Sequence, residues 1–266
     1  MKIKKLNLLW FSATNSTKKI VNLIANELDI EKRKEYDITN KRLPDEINLN
    51  SDNLLLIGMP VYAGRIPRVT LSCLQKMKGN NTPAILVCVY GNRDYEDALL
   101  ELKTIVSRNG FNVIAAGAFI AQHSIFPQIG SSRPDIQDEK IISKFAQESK
   151  NILSSITKAT ISKEDILLRG NIPFKATSQK IPFRPKTKES KCNKCRLCYA
   201  VCPVSAISYR NPAKVEDSCI SCGRCIVSCP QKARHFGGLL YYFVEKKFNK
   251  THCLRKEPEM FFLKPN

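Results

Sequence analysis

No stretch of this 266-residue chain approaches the roughly 20 consecutive apolar residues of a membrane-spanning helix. The longest late run, Leu239 to Val244, is six residues. The start, Met1-Lys2-Ile3-Lys4-Lys5 and then Leu6 to Phe11, has the outline of a secretory leader. Its apolar part is too short and no small-residue cleavage site follows, so a cytoplasmic, reducing location is expected. GxGxxG is missing, which argues against an internal nicotinamide domain. No carboxylate pair or nucleophile–base set stands out.

Acidic residues are scarce, 24 Asp+Glu against 43 Lys+Arg, a net of +19. The imbalance is uneven. Residues 1–150 carry 21 Lys+Arg against 16 Asp+Glu, and residues 151–266 carry 22 against 8. Two readings stay open for the basic half: solvated lysine, or a docking face for acidic redox partner proteins. The basic residues are spread out without interleaved aromatic platforms, so no nucleic-acid partner is expected. The composition points to no membrane partner either.

Cysteine is plentiful. Of eleven, eight fall in two copies of one pattern, Cys192-x2-Cys195-x2-Cys198-x3-Cys202-Pro203 and Cys219-x2-Cys222-x2-Cys225-x3-Cys229-Pro230, offset by 27 residues. This is the ligand run of two-cluster bacterial ferredoxins, in which the fourth cysteine ligates the other cluster. One [4Fe–4S] cluster is therefore expected on Cys192, Cys195, Cys198 and Cys229. The other is expected on Cys219, Cys222, Cys225 and Cys202. Four sulfurs per run is one too many for the usual zinc pairing of CxxC motifs. Disulfides would need an oxidising compartment. The crossing would make the metal the core of a very small domain.

Residues 1–150 alternate apolar runs with amphipathic stretches, the signature of a parallel sheet wrapped by helices. The pattern predicts strands at Leu6–Phe11, Lys34–Ile38, Asn53–Met59, Ala84–Tyr90 and Asn112–Ile120. It predicts helices at Thr17–Leu28, Pro67–Met77, Tyr95–Asn109 and Asp138–Ile156. Five strands and their helices fit the α/β, flavodoxin-like doubly wound order, with ligands outside the strand carboxyl ends. Three loops lie there. Ser12-Ala13-Thr14-Asn15-Ser16-Thr17 offers hydroxyls and backbone N–H groups at a helix start, either a phosphate cradle or a plain N-cap. Pro60-Val61-Tyr62-Ala63-Gly64 and Tyr90-Gly91-Asn92-Arg93-Asp94-Tyr95 offer glycines for close approach to a flat ring and tyrosines to flank it. Together these loops point to FMN, on Ser12, Thr14, Asn15, Ser16, Thr17, Pro60, Val61, Tyr62, Gly64, Tyr90, Gly91, Asn92 and Tyr95.

The segments Phe11-Ser12-Ala13-Thr14, Gly58-Met59-Pro60-Val61-Tyr62-Ala63-Gly64-Arg65 and Tyr90-Gly91-Asn92-Arg93-Asp94-Tyr95-Glu96-Asp97-Ala98-Leu99, with the double cysteine run, resemble the fused flavodoxin–ferredoxin iron–sulfur proteins of anaerobic prokaryotes. The resemblance spans about residues 3–236. It implies FMN in the first domain and two [4Fe–4S] clusters in the second. One position departs: the flavodoxin phosphate loop usually reads T-x-T-G-x-T, and here Asn15 replaces the glycine. Asn is the next best residue for a left-handed backbone.

The domain plan is 1–156 flavodoxin-like, 157–190 connector, 191–236 an α+β bacterial-type ferredoxin domain, and 237–266 a tail. Ile172-Pro173-Phe174 and Ile181-Pro182-Phe183 should pin the connector to a surface. Apolar Leu239–Phe248 and Met260-Phe261-Phe262-Leu263 should bring the tail back onto the body. His123 is expected to be structural or to serve docking. His235 and His252 are expected at the surface, Cys73 and Cys88 in the core, Trp10 at the end of strand one, and Cys253 has no assigned role. The leading functional expectation is intramolecular electron transfer between clusters and FMN. The alternatives are a cluster-fed flavin reductase, that is an FMN- and iron–sulfur-dependent oxidoreductase acting on a small molecule, and a redox sensor with structural clusters and no FMN.

Overall fold

The computed structural model describes residues 1–40, 46–157, 165–176 and 182–264. The connector segments 158–164 and 177–181, including Ile181, lie outside the described residues.

Strands β1 (Lys5–Trp10), β2 (Arg33–Asp37), β4 (Asn53–Pro60), β6 (Thr82–Tyr90) and β7 (Phe111–Ile120) form a parallel sheet in the order β2-β1-β4-β6-β7. Renumbered along the sheet this is 2-1-3-4-5, the flavodoxin-like doubly wound order. Leu54 to Ile57 of β4 and Ala84 to Val87 of β6 are completely buried, because central parallel strands are covered on both faces. Helices α1 (Ser16–Glu27) and α4 (Ile136–Ser155) lie side by side, and α3 (Ala98–Arg108) packs over β6 and β7. Trp10 ends β1 fully buried, with the Lys18 ammonium 5.2 Å from its ring centroid.

Two expectations need correction. The helix predicted over Pro67–Met77 is a short 3-10 turn and a single turn, α2 (Leu71–Leu74). Its last part is strand β5 (Met77–Gly79), which pairs in parallel with β3 (Ile47–Leu49). Met77 gains a buried seat there, so tertiary pairing overrides the helical pattern. The main sheet also has six strands. The tail strand β10 (Glu259–Phe262) pairs antiparallel with β7, Phe261 opposite Ala116. It closes an edge that would otherwise present unpaired backbone groups. Phe262 packs on Phe145 of α4 (5.5 Å), and Phe145 on Phe119 of β7 (5.3 Å).

The cysteine-rich region has little regular structure: a hairpin of β8 (Lys186–Thr187) with β9 (Arg234–His235), and single turns α5 (Leu197–Ala200) and α6 (Arg224–Val227). Its 27-residue repeat is written into the backbone. Lys194 and Ser221, Arg196 and Gly223, Ser205 and Lys232 all have positive φ at matched positions. The N–H groups of Ala206 and Ala233 each reach the fourth cysteine sulfur of their own run at 3.3 Å. Among the described residues no helix is long and apolar enough to cross a membrane.

The connector and tail are held by side chains of the first domain. Asp97 accepts from the Asn171 and Lys175 backbone N–H groups at 2.9 and 2.6 Å. Phe174 lies beneath the Arg65 guanidinium and Phe183 packs on Phe126, whereas Ile172 is exposed. Past β9, helix α7 (Leu239–His252) lays Tyr241, Val244 and Phe248 on Ile125, Phe126 and Ile129.

Candidate functional site

Three loops at the carboxyl ends of β1, β4 and β6 and the segment after β7 enclose a cleft of about 440 Å³, part of it open to solvent. Thr14, Ser16, Thr17, Pro60, Val61, Tyr62, Tyr90 and Gly91 line it, as expected, and so do Gln122, His123 and Ser124. Asn15 takes φ 66°, ψ −5°, the left-handed backbone that the glycine of the usual phosphate loop would supply. The Thr14 and Ser16 hydroxyls lie 3.3 Å apart at the start of α1, beside the positive end of a twelve-residue helix. A Cβ on Gly91 would stand 2.5 Å from the His123 ring, so only glycine lets that imidazole close the cleft wall. These features fit an anionic group at the loop and a flat ring beyond it.

Five of the expected contacts do not line the cleft: Asn15, which sets the loop's turn, and four that lie elsewhere. Ser12 is buried, its hydroxyl accepting from the Lys18 N–H at 3.0 Å, so it shapes the loop from behind. Gly64 turns at φ 85° against Glu96, outside the cleft. Asn92 grips the tail, its amide donating to the His252 and Leu254 carbonyls at 2.8 Å each. Tyr95 is fully buried, with its hydroxyl donating to Glu259 at 2.7 Å and the Arg169 guanidinium over its ring. It cannot flank a ligand. The tail claims both residues, and no local pattern around them announces it.

None of the eleven cysteines is joined in a disulfide. Cys192, Cys195, Cys198 and Cys229 line one cavity of about 350 Å³, so the fourth cysteine of the second run joins the first three of the first. On the other side, burial pushes the Cys222 thiol up to about 12, and nearby Cys225, Cys202 and Cys219 push the same way. Cys202 acts likewise on Cys219 and Cys225. The fold thus gathers the cysteines of the first crossed group and sets Cys202 near those of the second. Among the described residues no three His, Cys, Asp or Glu side chains converge to hold a single metal ion. The thiols ring a space instead, which suits a cluster with several irons. A buried cation supports the fit. Arg234 is 4% exposed, its Nε lacks a hydrogen-bond partner, and its Nη1 lies 4.0 Å from Cys198 Sγ. An uncompensated buried charge costs several kcal/mol, and anionic clusters on these thiolates would compensate it.

The two cysteine groups face different surroundings. Cys195 is exposed, whereas Cys222 and Cys225 are buried. The second loop seats on the cleft. A Cβ on Gly223 would meet the Ser124 carbonyl oxygen at 3.2 Å and Thr14 Cγ2 at 3.6 Å. Arg224 Nη1 donates to the Ser12 carbonyl at 3.1 Å, Ser221 donates to the Phe183 carbonyl, and Cys222 joins the first domain's apolar core. Tyr62, at the cleft, has its hydroxyl pKa raised by burial and then by the Cys222 thiol.

Other expectations stand as follows. His235 is exposed. His252 is half-buried, its ring 4.3 Å from Phe248, and burial lowers its pKa. Cys88 is buried, Cys73 half-buried and Cys253 exposed. The arginine Arg234 and the wall residue His123 belong to the sites, yet spacing alone marks neither.

Residues 160–242 match the family model described as a 4Fe-4S dicluster domain. With the doubly wound sheet before it, the chain joins a flavodoxin-like domain to an iron–sulfur domain of the ferredoxin kind. Several solved structures are similar to its first part. Rubredoxin oxygen:oxidoreductase from Desulfovibrio gigas is 14% identical over 58% of this chain and 37% of its own, with a TM-score of 0.39. Flavodoxin 1 from Bacillus cereus is 14% identical over 57% of this chain and 99% of its own (TM-score 0.42). A Fusobacterium nucleatum flavodoxin bound to flavin mononucleotide is 15% identical over 56% and 98% (TM-score 0.42). No curated protein sequence matches the chain.

Proposed function

We propose that this protein carries electrons along one internal path, from an outside carrier to the exposed cysteine group, then to the buried group, then to FMN in the cleft. One observation carries the reading: the Cys222-Gly223-Arg224 loop is seated against Thr14, Ser12 and Ser124 at the cleft mouth. In this reading two [4Fe–4S] clusters sit on the crossed groups, and FMN takes its phosphate on the backbone and hydroxyls of Thr14–Thr17. The clusters pass single electrons and the flavin accepts a pair; the chain binds, orients and insulates them. One covalent chain replaces a diffusional encounter with a fixed contact.

The outer group is the entry port. Lys191, Lys194, Arg196 and Arg210 are all exposed around it. Leu197, Tyr199 and Tyr209 add exposed apolar surface. This face suits an acidic one-electron carrier, and its reduction of the protein should slow as salt rises.

Rapid mixing with a one-electron donor, following cluster bleaching and flavin reduction separately, tests the path. Flavin reduction should lag cluster reduction and vanish when Cys222 and Cys225 are replaced by serine. A flavin reduced equally fast without clusters would sink the relay and favour a reductase fed directly at FMN.

A further inference from the structure

Arg234 occupies an unusual place. It is the third-from-last residue before the Gly237-Gly238 pair, and it leads β9, with its side chain buried and lining the cavity of the first cysteine group. Its polar contacts are the Pro212 carbonyl at 2.6 Å, the Thr187 hydroxyl at 3.1 Å and the Pro185 carbonyl at 3.5 Å. Each of these acceptors is neutral. Among the described residues no carboxylate pairs with it. A guanidinium stays charged at any ordinary pH, so it cannot escape burial by losing its proton.

Its reach covers both groups. Nη1 lies 4.0 Å from Cys198 Sγ in the first group. On the side of the second group, β9 packs against the turn α6, which carries Cys225. The repeat shows that this is no general feature of the motif. Twenty-seven residues earlier the equivalent position is Ile207, buried and apolar. One half of the duplicated unit carries a charge where the other carries a hydrocarbon.

We propose that Arg234 is the shared internal counter-ion of the two clusters, raising the reduction potential of both. The inference rests on the two-cluster reading above. A fixed cation favours the more negative, reduced state of each neighbour. Arg234 touches ligand sulfur, not a reacting substrate, so it is a positioning and tuning residue. The bland rival is a tie that merely joins the β8–β9 hairpin to the Pro212 loop.

The test uses the full chain, prepared anaerobically, as wild type, Arg234→Met and Arg234→Lys. Iron and sulfide content are measured, and cluster potentials by spectroelectrochemical titration. The expected result is a shift of both potentials to more negative values in Arg234→Met, with Arg234→Lys intermediate. Wild-type iron in Arg234→Met with unmoved potentials overturns the counter-ion. If Arg234→Met fails to hold iron, Arg234→Lys decides: iron retained supports the counter-ion, because the charge remains, and iron lost assigns Arg234 to the bland tie. Wild-type protein without cluster iron overturns the two-cluster reading itself, a result that no variant is needed to recognise.

Discussion

Arg224 Nη1 donates a 3.1 Å hydrogen bond to the Ser12 carbonyl oxygen, 212 residues earlier in the chain. The bond joins the buried cysteine loop to the loop that opens α1, and so couples the two candidate redox sites. A charged donor on a carbonyl contributes about 1.5–3 kcal/mol. Arg224→Ala should leave iron content unchanged and slow flavin reduction by the clusters about tenfold or more. Stopped-flow traces of the two chromophores check it; an unchanged lag would show that the contact is incidental.

Cys202→Ser tests the crossing. It should cost the cluster otherwise held by Cys219, Cys222 and Cys225, lowering iron from about eight to about four per chain. Loss of the outer group's spectral signature instead would mean that each run closes on itself.

FMN should bind with its phosphate at the α1 loop. Thr17→Ala removes a hydroxyl from a cleft-lining position. If that hydroxyl bonds the phosphate, affinity should fall about 10- to 150-fold. Asn15 already stands at φ 66°. Asn15→Gly should therefore bind at least as well, while Asn15→Val should lose about 1–2 kcal/mol to left-handed strain. Flavin fluorescence titration measures all three.

His123 predicts an acid-side loss of stability. Its Nδ1 accepts from the Ile125 and Phe126 N–H groups at 3.1 Å each. Burial, then Arg93 and His252, lower its pKa to about 4. An unfolded histidine titrates near 6.5, so between about pH 6.5 and 4 the unfolded chain binds the extra proton. The stability from this group is present above 6.5 and is lost as pH falls toward 4, up to about 3 kcal/mol. His123→Asn, which keeps an acceptor for the two N–H groups, should flatten that slope. Denaturant melts at pH 7, 5.5 and 4.5 compare the two proteins.

Several features were legible in the chain alone because they depend on neighbours along it. Cysteine spacing is one, since three cysteines of each group share one short loop. The five parallel strands are another, since buried strands read as unbroken apolar runs. Asn15 was legible too, because the left-handed turn at a helix start is a local demand on the backbone. Ser12, Thr14, Ser16 and Thr17 were all assigned to the ligand, but only the last three line the cleft. Distinguishing them takes a helix turn folded back on the loop.

Tertiary structure decided the rest. The tail strand Glu259–Phe262 and the capture of Asn92 and Tyr95 by the tail join residues more than 140 positions apart. So does the seating of Gly223 on Thr14. Arg234 reads in sequence as one more lysine-like surface charge. It becomes a buried cation only when the β8–β9 hairpin closes over it. Spacing can state which atoms bind a metal. Which of the two equivalent cysteine groups faces solvent and which faces the cleft is a question of packing, answered when apolar surfaces distant in sequence bury each other.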